Sequence, residues 1–303
     1  MTKARIATDW LCICSGCEIS LLDIDDAILK VLELAEIVRC PVLMDVKEFV
    51  PADIGVISGG IRNEQNITVA KKMRENCDII VSLGSCGVYG GIPGLANLYT
   101  TQEIYDHVFK TSLTTDNPLN HEPRDDLPAL TEKVAPLSSV IKVDYEIPGC
   151  PPVPELITTV LIALLHNEEP EFTNRSICDD CVRQKHRTNT KPKRLRRWYE
   201  SSGDCDPNMC FNEQGYICLG PVTRNLCAAR CLDVGVPCRG CHGPLPTAVD
   251  SGLDALNMLA TLGTETPEGV QGLKKALPDP AGQLYMYTFA TAKPTSFVKL
   301  HKR

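Results

Sequence analysis

The sequence predicts an α/β fold in its first half and an irregular, cysteine-rich domain in its second half. Between residues 1 and 170, short apolar runs alternate with segments of helical periodicity. Several of these runs are apolar throughout, which is typical of parallel strands that are covered on both faces. After about residue 172 the apolar periodicity is largely lost, and nine cysteines fall within residues 176–245.

The alternation defines the elements of the first domain. Strands are predicted at residues 3–8, 41–45, 53–57, 78–83 and 140–147. Helices are predicted at residues 18–37, 64–75 and 154–166. We therefore expect residues 1–170 to form an open parallel sheet of the flavodoxin-like type. The polar insertion at residues 99–138 is expected to contain a helix and a long loop, and the sequence assigns it no role.

The second domain is predicted to span residues 171–303. Its cysteine-rich part offers no apolar face to bury, so we expect a bound metal group to order it. Residues 246–261 predict a helix with Leu253, Leu256 and Leu259 on one side. The tail from about residue 264 is rich in Pro, Gly and Thr and is expected to wrap a surface.

Composition excludes several classes of protein. The 303 residues carry a net charge of −7, which disfavours nucleic-acid binding. No apolar run approaches the roughly 18–20 residues of a membrane helix, so no membrane span is expected. The first ten residues show no export signal, and we expect the chain to be cytoplasmic. Cytosolic thiols are kept reduced, so the 16 cysteines point to metal or redox chemistry rather than to disulfides.

Four cysteines of the first domain follow predicted strands. Cys14 and Cys17 form a C-x-x-C after the first strand, and Cys86 and Cys150 each follow a later one. In an open parallel sheet, ligands bind outside the carboxyl ends of the strands. Four thiolates at one edge suit a [4Fe-4S] cluster or a structural zinc ion. Neighbouring glycines would leave backbone amides free to approach the sulfurs.

The second domain contains enough cysteines for two more four-thiolate sites. They are Cys178, Cys181, Cys210, Cys218, Cys227, Cys231, Cys238 and Cys241. Cys40 and Cys77 precede or begin predicted strands, opposite the ligand edge, and are interpreted as structural. Cys12 and Cys205 lie beside ligand candidates. Two alternatives therefore stay open: Cys12 as a ligand in place of Cys14, and Cys205 as a ligand in place of Cys210.

These motifs, taken together and in order, resemble the small subunits of [NiFe]-hydrogenases. The proximal-cluster motifs of that family are similar to Cys14-Ser-Gly-Cys17-Glu18, Gly84-Ser85-Cys86 and Pro148-Gly149-Cys150-Pro151-Pro152. Its distal and medial motifs are similar to Cys218-Leu-Gly-Pro-Val-Thr-Arg-Asn-Leu-Cys227 and Cys238-Arg-Gly-Cys241. The resemblance covers nearly the whole chain. It is strongest to the cytoplasmic, methyl-viologen-reducing type, whose partner is a heterodisulfide reductase.

The resemblance implies three [4Fe-4S] clusters. The proximal cluster would use Cys14, Cys17, Cys86 and Cys150. The medial cluster would use Cys227, Cys231, Cys238 and Cys241. The distal cluster would use Cys178, Cys181, Cys210 and Cys218. In the periplasmic enzymes of the family a histidine stands at the position of Cys178 and a proline at that of Cys231, and all-thiolate ligation with a fourth iron should lower the potentials.

The resemblance also implies a function and partners. The chain would relay electrons between the NiFe centre of a large subunit and an iron–sulfur acceptor subunit of a heterodisulfide reductase complex. Three alternatives stay open: the small subunit of a deazaflavin-reducing hydrogenase, a zinc-stabilised scaffold, and a quinone-oxidoreductase cluster subunit. The resemblance to a quinone-oxidoreductase cluster subunit predicts adjacent cysteines at the first motif, whereas Cys14 and Cys17 are separated by two residues. It also predicts no extension with eight further cysteines.

Four further features carry weaker signals. Residues 183–197 hold eight Lys or Arg and favour a solvated loop or a docking surface for an acidic redox partner over a nucleic-acid site. Glu18 is placed either at an interface with the catalytic subunit or in the first turn of a helix. Residues 58–64 lack a complete phosphate-binding motif and are interpreted as a loop at the ligand edge. His242 is interpreted as a hydrogen-bond donor beside Cys241 or as an exposed residue.

Overall fold

The computed structural model describes residues 3–183, 192, 194–201, 203–263 and 267–292. The chain forms two compact units: residues 1–170 with 287–291, and residues 171–286 with 292–303. Residues 287–291 were predicted to lie in the second domain. They belong to the first unit, where Ala290 packs against Gly90 and Gly94.

The first unit is built on a parallel sheet of five strands. They are β1 (Ala4–Trp10), β2 (Ala35–Arg39), β3 (Ala52–Ser58), β5 (Cys77–Leu83) and β7 (Tyr145–Ile147). Their order across the sheet is β2-β1-β3-β5-β7, and every neighbouring pair is parallel. Counted within this sheet the order is 2-1-3-4-5, which is the flavodoxin-like order. The predicted fold class is therefore confirmed.

The helices of the first unit follow the strands. They are α1 (Gly16–Leu22), α2 (Ala27–Leu34), α3 (Glu64–Asn76), α4 (Gly84–Tyr89), α5 (Thr101–Tyr105) and α6 (Pro154–Leu165). Asn63 caps α3 with its side chain, and Pro154 occupies the first position of α6, where a missing N–H costs nothing. Ile57, Ile80 and Met73 are fully buried between the sheet and these helices.

The prediction of one helix over residues 18–37 and a strand at 41–45 was wrong. The helix ends at Leu22, a turn containing Asp25 at φ +49° interrupts it, and α2 follows. Residues 35–39 then form β2, which pairs in parallel with β1. The β-branched side chains of Ile37 and Val38 favour a strand once β1 supplies a hydrogen-bonding partner. The periodic spacing of the apolar residues concealed this change.

The insertion also differs from the prediction. Strand β6 (Leu130–Ala135) pairs in antiparallel fashion with β4 (Ile61–Asn63), forming a separate two-stranded sheet. The side-chain amide of Asn97 holds β6 by donating to the carbonyl of Val134 and accepting from its N–H. A π-helical segment, Asp106–Thr111, continues α5. The strand predicted at 140–147 is confined to Tyr145–Ile147, and a 3-10 turn at Leu137–Ser139 precedes it in the chain.

The second unit has an apolar core that its sequence pattern did not predict. Its helices are α7 (Arg230–Asp233), α8 (Ser251–Gly263), α9 (Pro267–Ala276) and α10 (Pro280–Leu284). Leu195, Leu219, Leu259, Leu277 and Leu284 are buried together among them. Trp198, Phe211 and Tyr216 form edge-to-face ring contacts. The tail that was expected to wrap a surface contains α9 and α10, each of which begins at a proline.

No helix within the described residues combines the length and the apolar character needed to cross a membrane.

Candidate metal centres

Four predicted ligand thiols of the first unit lie at the carboxyl edge of the parallel sheet. Cys14 follows β1, and Cys17 is the second residue of α1. Cys86 lies in α4, immediately after β5, and Cys150 follows β7. Since β1, β5 and β7 are parallel, their carboxyl ends meet at the same edge. The strand-end argument from sequence therefore places these thiols correctly.

Hydrogen bonds tie together the three segments that carry these thiols. The Ser20 hydroxyl of α1 donates to the carbonyl of Pro152, two residues beyond Cys150. At the start of α4, the N–H of Ser85 donates to the carbonyl of Gly149 at 2.7 Å. The N–H of Gly149 in turn donates to the Ser85 hydroxyl at 3.0 Å. These bonds hold the thiol-bearing segments to one another.

Burial and neighbouring charge disfavour the thiolate forms of three of these residues, Cys17, Cys86 and Cys150. Burial raises the pKa of Cys17 well above its usual value, and the charges of Cys86, Cys150 and Cys14 raise it further. Burial, Cys150 and Cys14 raise the pKa of Cys86 to about 12. Burial and Cys14 raise the pKa of Cys150. Four thiols within electrostatic reach of one another fit a cationic iron core, which would compensate the thiolate charges.

Two glycines keep the space beside these sulfurs open. A Cβ atom on Gly84, whose φ is +84°, would lie 2.3 Å from the Sγ of Cys17. A Cβ atom on Gly91, at φ +56°, would lie 2.5 Å from the Sγ of Cys86. Side chains at these positions would displace the thiols, so the backbone approaches the sulfurs closely only because the residues are glycine.

Two further residues that the sequence analysis considered, Cys12 and Glu18, lie beside these thiols. Cys12 is near enough for its charge to raise the pKa of Cys86, and burial raises the pKa of Cys12 itself, with Arg62 opposing. Glu18 lies in the first turn of α1, as one of the two predictions had it, but it is only 5% exposed. It accepts a hydrogen bond from the Ser58 hydroxyl of β3. Burial raises the pKa of Glu18, an effect that this bond opposes.

The two cysteines interpreted as structural differ in position. Cys77 begins β5, at the edge opposite the ligand thiols, as predicted, and it is buried against Gly55. Cys40 was expected to precede a strand, and this was wrong. Because β2 lies at Ala35–Arg39, Cys40 follows a strand and stands at the carboxyl edge of the sheet. It is buried among apolar side chains that include Ile6, Ile24 and Leu161.

In the second unit, Cys218 connects the two predicted ligand sets. Its Sγ accepts a hydrogen bond from the N–H of Cys238 at 3.3 Å. Both Cys178 and Cys218 flank Gly220, where an added Cβ would lie 3.2 and 3.5 Å from their sulfurs. Burial raises the pKa of Cys218 strongly, and the charges of Cys238 and Cys178 raise it further. Two distal candidates and one medial candidate therefore lie together.

Three medial candidates interact with one another. Burial raises the pKa of Cys238 to about 11, with the Gly240 N–H and the Thr223 hydroxyl opposing, while the charges of Cys227 and Cys231 add to the increase. Burial likewise raises the pKa of Cys227, and backbone N–H groups that follow it oppose this. Such N–H···S bonds are the contacts expected around a bound cluster.

The remaining medial candidate, Cys241, contacts a histidine. Its Sγ lies 3.5 Å from Nδ1 of His242, whose side chain is 2% exposed. Burial lowers the pKa of His242 to about 4, so its ring is neutral at pH 7. Of the two positions weighed for His242 from sequence, the exposed one was therefore wrong.

The last two distal candidates are connected through an arginine. Arg183, two residues after Cys181, donates to the carbonyl of Met209, which precedes Cys210. Cys205, the possible substitute for Cys210, lies 4.0 Å from the same guanidinium. Most of the basic segment to which Arg183 belongs, residues 184–191 and 193, lies outside the described residues.

Within the described residues, no group of three or more His, Cys, Asp or Glu side chains is arranged to hold a single metal ion. The fit to iron–sulfur clusters therefore rests on the placement of the thiols, their N–H donors and the glycines beside them.

Comparison with known proteins adds independent information. A family model described as NADH ubiquinone oxidoreductase, 20 Kd subunit, matches residues 14–164. The G subunit of the vhu F420-non-reducing hydrogenase of Methanocaldococcus jannaschii is 44% identical over 274 residues, which cover 89% of this chain and 93% of the relative. The iron-sulfur G subunit of the F420-non-reducing hydrogenase of Archaeoglobus profundus is 37% identical over 274 residues, which cover 82% and 85%.

A solved structure gives the same result for the fold. A chain from the crystal structure of an NAD+-reducing [NiFe]-hydrogenase in the H2-reduced state matches with a TM-score of 0.54 and 38% identity, covering 57% of this chain and 96% of that chain. The parallel sheet with thiols at its carboxyl edge is thus that of a hydrogenase small subunit, an oxidoreductase component. The chain belongs to the family of F420-non-reducing hydrogenase G subunits.

Proposed function

We propose that this chain holds three [4Fe-4S] clusters and relays electrons between the NiFe centre of a large subunit and an iron–sulfur acceptor. The observation that supports this most directly is the set of four thiols at the carboxyl edge of the sheet, with Gly84 and Gly91 beside them. Eight further cysteines in the second unit supply two more ligand sets. The family to which the chain belongs supports the hydrogenase context.

The chain's own residues position and insulate the clusters. When bound, the clusters supply one-electron chemistry. The proximal set would hold its cluster through Cys14, Cys17, Cys86 and Cys150. Burial of Cys17, Cys218 and Cys238 excludes water from the sulfurs, and the Cys238 N–H donates to the Cys218 sulfur. Such hydrogen bonds and burial set the potential of each cluster.

The acceptor and the compartment belong to the same proposal. On the resemblance stated from the motifs, the acceptor is an iron–sulfur subunit of a heterodisulfide reductase complex, and the chain works in the cytoplasm. The relatives named F420-non-reducing favour this over reduction of F420, a deazaflavin. The match to the 20 Kd subunit of NADH ubiquinone oxidoreductase is confined to residues 14–164 and leaves the eight-cysteine unit unmatched.

Metal analysis of the complex, isolated through this chain under anaerobic conditions, tests the proposal. We expect iron at or above about 12 per complex, four for each cluster of this chain and more from its partners, together with about one nickel from the large subunit. Zinc in place of iron would overturn the relay and support a zinc-stabilised scaffold. Iron at this level without nickel would leave the clusters in place and refute the hydrogenase partner.

The assignment of Cys231 as a medial ligand gives a spectroscopic prediction. Replacing Cys231 by proline should remove one iron and convert the medial cluster toward [3Fe-4S]. Cys231 is the second residue of α7, so proline is compatible with the helix there. EPR of the oxidised complex should show a new [3Fe-4S] signal, and Cys231→Ser serves as a second variant that leaves the backbone unchanged. An unchanged spectrum in both variants would refute this ligand.

A further inference from the structure

Arg183 is a buried cation beside two predicted distal ligands. Its side chain is 6% exposed. Nη1 donates to the carbonyls of Asp206 and Met209, each at 2.9 Å, and the guanidinium carbon lies 3.6 Å from the centre of the Phe211 ring. The residue follows Cys181 by two positions, and Met209 immediately precedes Cys210. The positive charge therefore lies among the segments that carry the predicted distal ligands.

This charge has no carboxylate partner in the described part of the chain. Asp206 offers its backbone carbonyl, and the hydrogen bonds of Arg183 go to carbonyls and to the Cys205 sulfur. Its Nε is buried and has no hydrogen-bond partner among the described residues. Residues 184–191 and 193, which follow directly, contain no Asp or Glu. A buried cation is unfavourable unless an anion compensates it.

Two other arginines show the usual arrangement. Arg39, which is buried in the first unit, pairs with Asp9 at 2.6 Å. Arg196 stacks on Tyr216 at 4.2 Å, much as Arg183 stacks on Phe211, but it also pairs with Asp204 at 2.9 Å. Arg196 has a carboxylate partner in addition to its ring contact. Stacking on Phe211 therefore does not explain why Arg183 lacks such a partner among the described residues.

We propose that Arg183 is the counter-charge of the distal cluster and raises its reduction potential; this inference rests on the proposed function. Four thiolates around a core of charge 2+ give a net charge of 2−, which becomes 3− when one electron is added. No bond is made or broken, and the electron comes from the medial cluster. A cation fixed beside the ligands stabilises the 3− state more than the 2− state, so it raises the potential. Arg183 thus stabilises the reduced state of the distal cluster, the last of the three clusters in the relay.

The test is a potentiometric EPR titration of the purified complex, with dithionite and mediators setting the potential. The distal signal is identified as the one that is lost in Cys178→Ser. In Arg183→Met we expect the equilibrium constant for reduction of that cluster to fall at least tenfold, which is 59 mV for one electron. Arg183→Lys retains the charge and should retain most of the potential. The double variant Arg196→Met, Asp204→Asn is the matched control and should leave the potential unchanged, because it removes a cation and its paired anion together.

Iron content separates the possible outcomes. A full iron content with an unchanged distal potential in Arg183→Met would overturn the role of Arg183 and leave the relay intact. If both Arg183→Met and Arg183→Lys lose the iron of one cluster, Arg183 is needed to hold residues 205–210 in place through its hydrogen bonds. That outcome would also overturn the proposed effect of its charge on the potential. Iron missing from the wild-type chain would refute the proposed function itself.

Discussion

Replacing Cys150 by serine should abolish electron transfer from H2 to the acceptor. Cys150 is the ligand contributed by the segment after β7, and hydrogen bonds hold that segment to α1 and α4. A neutral hydroxyl binds iron more weakly than a thiolate, so the proximal cluster should be lost or unstable. We expect activity to fall by more than about 100-fold, beyond the 10–100-fold typical of losing an outer-shell partner.

The measurement is iron per chain together with H2-dependent reduction of a viologen dye by the complex. About four of the twelve expected irons should be missing in Cys150→Ser, and Cys150→Ala should give the same loss. Cys77→Ser is the matched control, since Cys77 is also buried but begins β5 at the opposite edge of the sheet. Full activity in Cys150→Ser would refute the proximal assignment.

The same assay decides the role of the fifth thiol. Cys12 lies within electrostatic reach of Cys86, as Cys14 does. If Cys14 is the ligand, Cys12→Ser should retain the iron that Cys14→Ser loses. If Cys12→Ser loses the iron and Cys14→Ser retains it, Cys12 is the proximal ligand in place of Cys14.

The first domain was largely predictable because its strongest signals are local. The apolar run that forms β5 ends at Leu83, and Cys86 follows three residues later. Parallel strands place such ends at one edge, so the site could be located without coordinates. In contrast, β2 and β6 form because a partner strand is present, and neither Ala35–Arg39 nor Leu130–Ala135 has a pattern that excludes a helix or a loop.

The second unit was less predictable because its packing is non-local. Leu195, Leu219 and Leu284 lie far apart in the sequence, yet they belong to one apolar core. Periodicity detects only residues that share one element, so a core assembled from loops and short helices has no sequence signature. The surroundings of Arg183 and Glu18 depend on the same kind of long-range contact. The ligand assignments themselves stay predictions for the experiments described.

Replacing Gly84 by alanine should prevent proper assembly of the proximal cluster. Gly84 has φ +84°, and its added Cβ would lie 2.3 Å from the Cys17 sulfur. A left-handed conformation costs an alanine about 1 kcal/mol, and overpacking costs about 1–3 kcal/mol more. The overlap is relieved only by moving Cys17 or α1, and either movement displaces a proposed ligand.

Gly203→Ala separates the two effects of the Gly84 substitution. Gly203 has φ +85°, but an added Cβ would meet nothing within 4 Å, so this variant carries the backbone strain alone. We expect Gly203→Ala to retain the wild-type iron content and Gly84→Ala to lose about four irons per chain. Gly91→Ala, whose Cβ would lie 2.5 Å from the Cys86 sulfur, should reproduce the loss. Equal iron contents in Gly84→Ala and Gly203→Ala would contradict the argument, because the space beside Cys17 would then not be needed by the cluster.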